Sequence, residues 1–238
     1  MIYTMSDFHL PSSNNKSMDI FGWGDHVKEI RNNWPLSEDD TIIMPGDLSW
    51  GMNIHEVIPD FEFLESLPGK KILTKGNHDL WWNSKKKVDD ALKDFPSISV
   101  VHNNHMVVDG KYICGTRGWR LVSKKENEDD KPFLSEGDVK IINRELIRLR
   151  LSIDSAIDDG ASIDDMLVFL HFPPIIRTKV CDSTDLAFHN LFKKYGITDV
   201  YFGHLHGASQ LDYLDTYENI HYHLVSSDYL KFKPIKIQ

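Results

Sequence analysis

Five short apolar runs in this 238-residue chain each end in a polar cluster drawn from Asp, Asn and His. Ile2 to Met5 leads into Ser6-Asp7-Phe8-His9, Thr41 to Met44 into Pro45-Gly46-Asp47, and Lys71 to Thr74 into Lys75-Gly76-Asn77-His78-Asp79. Met166 to Leu170 leads into His171-Phe172-Pro173-Pro174, and Asp199 to Phe202 into Gly203-His204-Leu205-His206-Gly207. Polar groups at the C-terminal ends of buried strands stand where open α/β sheets carry their sites. The glycines allow backbone bends that a side chain would resist. Taken singly, each cluster also fits a solvated loop or a hydrogen-bonded structural histidine. Taken together, they require a fold that delivers several strand ends to one place.

The segments between them supply such a fold. Helices are expected over Asp25 to Asn33, Glu56 to Leu67 and residues 84 to 94. In the second, Val57, Phe61 and Leu64 share a face, Pro59 falls near the first turn and Pro68-Gly69 ends the helix. Strand and helix alternate, which predicts parallel strands with right-handed crossovers. Short strands are then expected at Ser97 to Val101, His105 to Val108 and Lys111 to Cys114, with Asp109-Gly110 as a hairpin turn. A charged stretch over 119 to 136 reads as an exposed loop able to cover a site as a lid. Asp138 to Ile157 has Val139, Ile142, Leu146, Leu149 and Ile153 in one stripe. Barely three heptads favour a helix on a sheet over a coiled-coil seam. A helix over Leu186 to Tyr195 and antiparallel strands at Gln210 to Leu214 and Ile220 to Val225 complete the reading, with no linker that would split the single domain 1 to 238.

A formal net charge of −9 argues against a broad basic face for long nucleic acid. Cys114 and Cys181 lie far apart with no C-x-x-C, so two buried thiols in a reducing compartment are expected. No basic n-region opens the chain and no apolar run approaches the ~20 residues that span a bilayer, so a cytoplasmic protein without membrane partners is expected.

The five clusters read D-x-H, G-D, G-N-H-D, a lone H and G-H-x-H, and extend from Asp7 to His206. This set resembles the calcineurin-like metallophosphoesterase family. The resemblance implies an α/β/β/α sandwich of two mixed sheets flanked by helices. It also implies two divalent metals: Asp7, His9 and His206 on one, Asn77, His171 and His204 on the other, with Asp47 bridging. The mixed nitrogen and oxygen ligands suit Mn, Fe or Zn better than Ca. Two such ions clamp a phosphate and acidify a shared water, so the implied activity is hydrolysis of a small phosphate ester, either a phosphodiester or a phosphomonoester.

His78 is left over from the ligand set, and its expected role is general acid or electrostatic stabiliser, with Asp79 orienting it. The second cluster continues Leu48-Ser49-Trp50-Gly51 and so lacks the second Asp and the Arg of the G-D-x-x-D-R-G pattern in Ser/Thr protein phosphatases. That speaks for the simpler phosphoesterases. Trp50, Trp81 and Trp82 can line a pocket or pack in the core. Arg117 and Arg120 flank Gly118-Trp119 and can grip a substrate phosphate or serve the structure. Two other readings compete: a catalytically silent scaffold of the same fold, which tends to lack ligands that are present here, and a metal-dependent nuclease, against which the acidic balance counts.

Overall fold

The computed structural model describes residues 1–121, 134–175, 186–207 and 214–238. Strands β1 (Ile2–Thr4), β2 (Thr41–Pro45), β3 (Lys70–Thr74) and β4 (Ile98–Val100) lie parallel in that order, and β11 (Ile235–Lys236) adds antiparallel to β1. A second sheet runs β5 (Met106–Val108), β6 (Lys111–Thr116), β7 (Met166–Leu170), β8 (Asp199–Phe202), β10 (Ile220–Leu224), β9 (Thr216–Tyr217). Its four central strands are parallel and its two edges antiparallel. The expected four-layer sandwich is therefore present, with both sheets mixed.

Side-chain alternation along the strands makes three cores from two sheets. Tyr3, Ile42, Met44 and Leu73 face helices α1 (His26–Asn32), α2 (Ile54–Glu65) and α3 (Lys85–Ala91). Their neighbours Ile2, Ile43 and Ile72 turn the other way and meet Ile113, Leu167, Phe169 and Tyr201 between the sheets. Val168, Leu170, Val200 and Phe202 pack outward against α4 (Glu136–Asp158) and α5 (Ala187–Tyr195). The hairpin at Asp109-Gly110 forms as expected, both residues at positive φ.

Several expectations need correction. Asn53 caps α2, so the helix starts two residues before Glu56 and Pro59 sits in its second turn, where it cannot donate to the His55 carbonyl. In α4, Ile142, Leu149 and Ile153 are buried against the sheet, whereas Val139 is exposed, and the helix packs on β6 rather than forming a seam. Strand β10 pairs antiparallel as expected, but with the two-residue β9, and its other side pairs parallel with β8. Residues 122–133 of the expected lid, the strand at 210–213 and Cys181 lie outside the described residues; Cys114 is buried and free. Among the described residues no helix is long and apolar enough to cross a membrane.

Because β1, β2 and β3 are parallel to one another, and so are β7, β8 and β10, the C-terminal ends of the first three share one edge and those of the second three another. A parallel bridge between Ser6 and Ser226 joins the two edges. The five polar clusters meet there.

Candidate metal centre

The backbone at this seam is strained in a regular way. Asp7, His9, Asp47 and His204 all lie in the left-handed region, at φ 58°, 43°, 52° and 71°. Loop-to-loop hydrogen bonds hold them there: Asp7 N donates to Gly46 O (3.0 Å) and His9 N to Asp47 O (3.0 Å). His204 N donates to Asp7 Oδ2 (2.9 Å). The glycines make room. A Cβ on Gly46 would come 2.7 Å from His171 Nδ1, one on Gly76 would overlap the Asp47 carboxylate, and one on Gly203 would overlap the side chains of Asp7 and Ser6.

Two groups of side chains there could each hold a metal ion: Asp7, His9 and His206, and Asp47, His171 and His204, with one donor atom per residue and all atoms of a group within 4.8 Å. Asn77 joins the second group through Oδ1, 2.7 Å from His171 Nε2. Asp47 lies between the groups. Its Oδ2 is 3.3 Å from His171 Nε2 and 3.8 Å from His9 Nε2.

Their hydrogen bonding suits a cation. His171 Nδ1 faces Pro45 O (3.2 Å), which accepts its N–H and turns the Nε2 lone pair toward Asn77 Oδ1 and Asp47 Oδ2. His206 repeats the pattern, with Nδ1 on Asp228 Oδ1 (3.1 Å) and Nε2 3.1 Å from His9 Nε2. An imidazole anchored through one nitrogen and aimed at other donors through the second is the usual arrangement at a metal. Asp47 Oδ2 and His9 Nδ1 are buried with no hydrogen-bond partner among the described residues. The donor set and the orphaned Asp47 Oδ2 fit bound divalent ions.

The electrostatics agree. Burial pushes His9 and His204 down to about 3, so both are neutral donors. Burial also works against a charge on His171, but the Asp47 carboxylate beside it prevails and lifts the ring to about 9. A site that draws a proton onto a fully buried imidazole has the negative field that favours a cation.

His78 comes to the same place but is not among the grouped donors. Its ring lies 4.5 Å from Trp50 and 5.5 Å from His9, and its amide donates to Asp47 Oδ1 (2.8 Å). Asp79 does not orient it. The buried Asp79 carboxylate accepts instead from the amides of Gly76 (2.7 Å), Asp47 (2.9 Å), Leu48 (2.9 Å) and Ser49 (3.4 Å) and from Trp81 Nε1 (3.0 Å). It ties the β2 and β3 loops together. Burial and the neighbouring Asp47 push its carboxyl up to about 6, against the pull of those hydrogen bonds.

A calcineurin-like phosphoesterase family profile matches residues 1–208. The chain belongs to that family. Among solved structures this chain resembles a protein of unknown function from Aquifex aeolicus, at 16% identity and TM-score 0.55, over 99% of this chain and 94% of the other. It also resembles the phosphopantetheinyl hydrolase of Mycobacterium tuberculosis, at 15% identity and TM-score 0.53, over 94% and 88% of the two chains. A third, from Thermus thermophilus, shares 13% identity at TM-score 0.53, over 98% and 96%. At these identities the likeness is one of fold. No curated protein matches.

The other aromatic and basic candidates divide. Trp50 stacks on His9 (4.7 Å), whereas Trp81 and Trp82 are core, against Phe61 and each other. Arg120 pairs with Asp138, the capping-box residue of α4, and so serves the structure. Arg117 stays near the site. Two residues escaped the sequence reading. Trp23, from the loop before α1, lies edge-on to His206 (5.2 Å) and His9 (5.7 Å). Asp228 anchors His206, and the signal for it was a sixth polar cluster after an apolar strand, Ser226-Ser227-Asp228 after β10.

Proposed function

We propose that this protein is a dinuclear metal-dependent phosphoesterase. Asp7, His9 and His206 would hold one ion, Asn77, His171 and His204 the other, and Asp47 both. The observation that carries this reading is Asp47 Oδ2, buried, without a hydrogen bond and within 4 Å of one imidazole from each group. When bound, two such ions neutralise a phosphate and supply an acidified water for in-line attack.

The chain's own residues would do the rest. The phosphorus–oxygen bond to the leaving group breaks as the water oxygen bonds to phosphorus, and the departing oxygen needs a proton or a hydrogen bond. His78 is the free imidazole for this. Burial holds it below the ordinary histidine range, so the neutral ring, donating an N–H hydrogen bond to the leaving oxygen, is favoured over an imidazolium acid. Trp50 stacks on His9 and packs at a tilt against His78, which holds the His78 ring in place. A small or exposed phosphate ester is the proposed substrate, diesters ahead of monoesters, and a structural neighbour named as a hydrolase agrees with the chemistry.

The test is turnover of p-nitrophenyl phosphate and of bis-p-nitrophenyl phosphate by metal-stripped protein before and after Mn addition. Metal-dependent turnover is expected, and the preferred ester chooses phosphatase or phosphodiesterase. Tight binding of two metals with no turnover of either ester would shift weight to the scaffold reading, and nicking of plasmid DNA to the nuclease.

A further inference from the structure

Beside the candidate centre stands a basic cluster that the chemistry above does not use. Lys75 directly precedes Gly76 and Asn77. Arg117 follows β6, and its carbonyl accepts from the amides of His171 (3.1 Å) and Phe172 (3.0 Å). With Arg144 and Arg148 these two surround Glu145, which is fully buried on α4.

The charges there do not balance. Glu145 Oε2 accepts from Thr116 Oγ1 (2.7 Å) and Oε1 from Arg148 Nη1 (2.8 Å). Arg117 and Arg144 approach the same Oε1 only to 3.7 Å, beyond hydrogen-bond range. Arg117 Nε is buried with no hydrogen-bond partner among the described residues, and its guanidinium is held over the Trp119 ring at 4.7 Å. Lys75 Nζ gives one proton to Trp82 O (2.6 Å) and keeps two. Glu145 is thus the one carboxylate hydrogen-bonded within a cluster of three guanidiniums and an ammonium; Asp79 and Asp47 also act on Lys75 and Arg117 through space, but among the described residues neither makes a hydrogen bond to them. A half-buried guanidinium with an unused donor is costly unless an anion completes it. Burial accordingly pushes Arg117 and Lys75 below their ordinary ranges. A recess of about 20 Å³ opens among Lys75, His102, Arg117 and Arg148. That is room for one oxygen-sized group, so an anion would sit at its mouth with one oxygen inserted.

We propose that Lys75, Arg117 and Arg148 form a second anion subsite, which takes a phosphate or carboxylate on a substrate whose scissile phosphate lies at the metal centre. The preferred substrate is then a phosphate ester bearing a second anionic group. That assignment to substrate rests on the phosphoesterase reading; the anion binding does not.

Two measurements test it. In the first, inorganic pyrophosphate is titrated calorimetrically into the metal-stripped full chain. Wild type is expected to bind, and Arg117→Gln and Lys75→Gln to weaken binding roughly tenfold each, with thermal melts establishing that the variants are folded. Absence of binding to folded wild type, or undiminished binding in both variants, overturns the subsite. In the second, Mn-loaded protein is assayed on adenosine 3′,5′-bisphosphate and on p-nitrophenyl phosphate. Arg117→Gln is expected to raise KM for the bisphosphate several-fold more than for the aryl ester, and Arg117→Lys to recover part of the difference. Equal changes for the two esters overturn the substrate assignment. No turnover of either, with pyrophosphate binding intact, removes the phosphoesterase reading and leaves the anion site standing.

Discussion

Replacing Asp79 with Asn separates two accounts of this residue that sequence alone does not distinguish. The structure gives each carboxylate oxygen its own donors: Oδ2 takes the amides of Gly76 and Asp47, and Oδ1 those of Leu48 and Ser49 together with Trp81 Nε1. A carboxamide has one acceptor oxygen. In either orientation its NH2 is set against N–H donors, and in the better one the two on the Oδ2 side lose their acceptor. An unsatisfied buried donor costs about 1–3 kcal/mol, so Asp79→Asn should destabilise by about 2–6 kcal/mol. For a chain of this length that lowers Tm by roughly 5–20 °C. The loosened β2 loop carries Asp47, so metal affinity should fall with stability. Denaturant unfolding at pH 8, where the carboxyl is ionised, reads the first effect, and calorimetric Mn titration reads the second. The competing account, in which Asp79 orients His78, expects intact stability and two bound metals with turnover alone reduced. Unfolding free energy within about 0.5 kcal/mol of wild type, with undiminished metal stoichiometry and lost turnover, would refute the loop-tying role.

Other substitutions probe other joints of the site. His78→Asn should retain both metals while turnover falls roughly 10²–10⁴-fold; near wild-type turnover would remove His78 from the chemistry. Gly203→Ala should cost metal at the Asp7 group, because its Cβ would occupy the space of the Asp7 carboxylate, and full occupancy by elemental analysis would contradict that. Asp60, buried on α2 beside Ser49 and the Ser12 amide, is pushed up to about 7 by burial. Its folded pKa exceeds the unfolded 3.8, so its contribution to stability is present in full below about pH 4 and is lost as pH rises through 7. The difference in unfolding free energy between Asp60→Asn and wild type should therefore move in favour of Asn from pH 4 to 8, by at most about 4 kcal/mol; a difference flat with pH would contradict the shift.

The sequence made the strands and their polar ends legible because both are local. Met166–Leu170 and Asp199–Phe202 have the expected bounds, since apolar runs bounded by glycine and polar residues admit little else. Convergence of the clusters followed from parallel order. What stayed hidden depends on long-range pairing. Asp79 adjoins His78 in sequence but serves the β2 loop some thirty residues away. Asp228 meets His206 across 22 residues, and β11 joins β1 across nearly the whole chain. Val139 fits the apolar stripe of α4 by spacing yet is exposed.

The left-handed turns at Asp7, His9, Asp47 and His204 narrow the vocabulary open to mutation at this seam. Asp, Asn and His are the side chains, glycine aside, that most readily tolerate that backbone. They are also oxygen and nitrogen donors for borderline metals. A chain bent this way at a sheet's edge is thus supplied with ligands by conformational selection, before any catalytic demand is placed on it. Exchanges between Asp and Asn, which are alike in size, should keep these turns while rewriting which ion is held, whereas aliphatic or β-branched replacements should fail in the backbone first. Metal preference can then drift among relatives that keep one architecture.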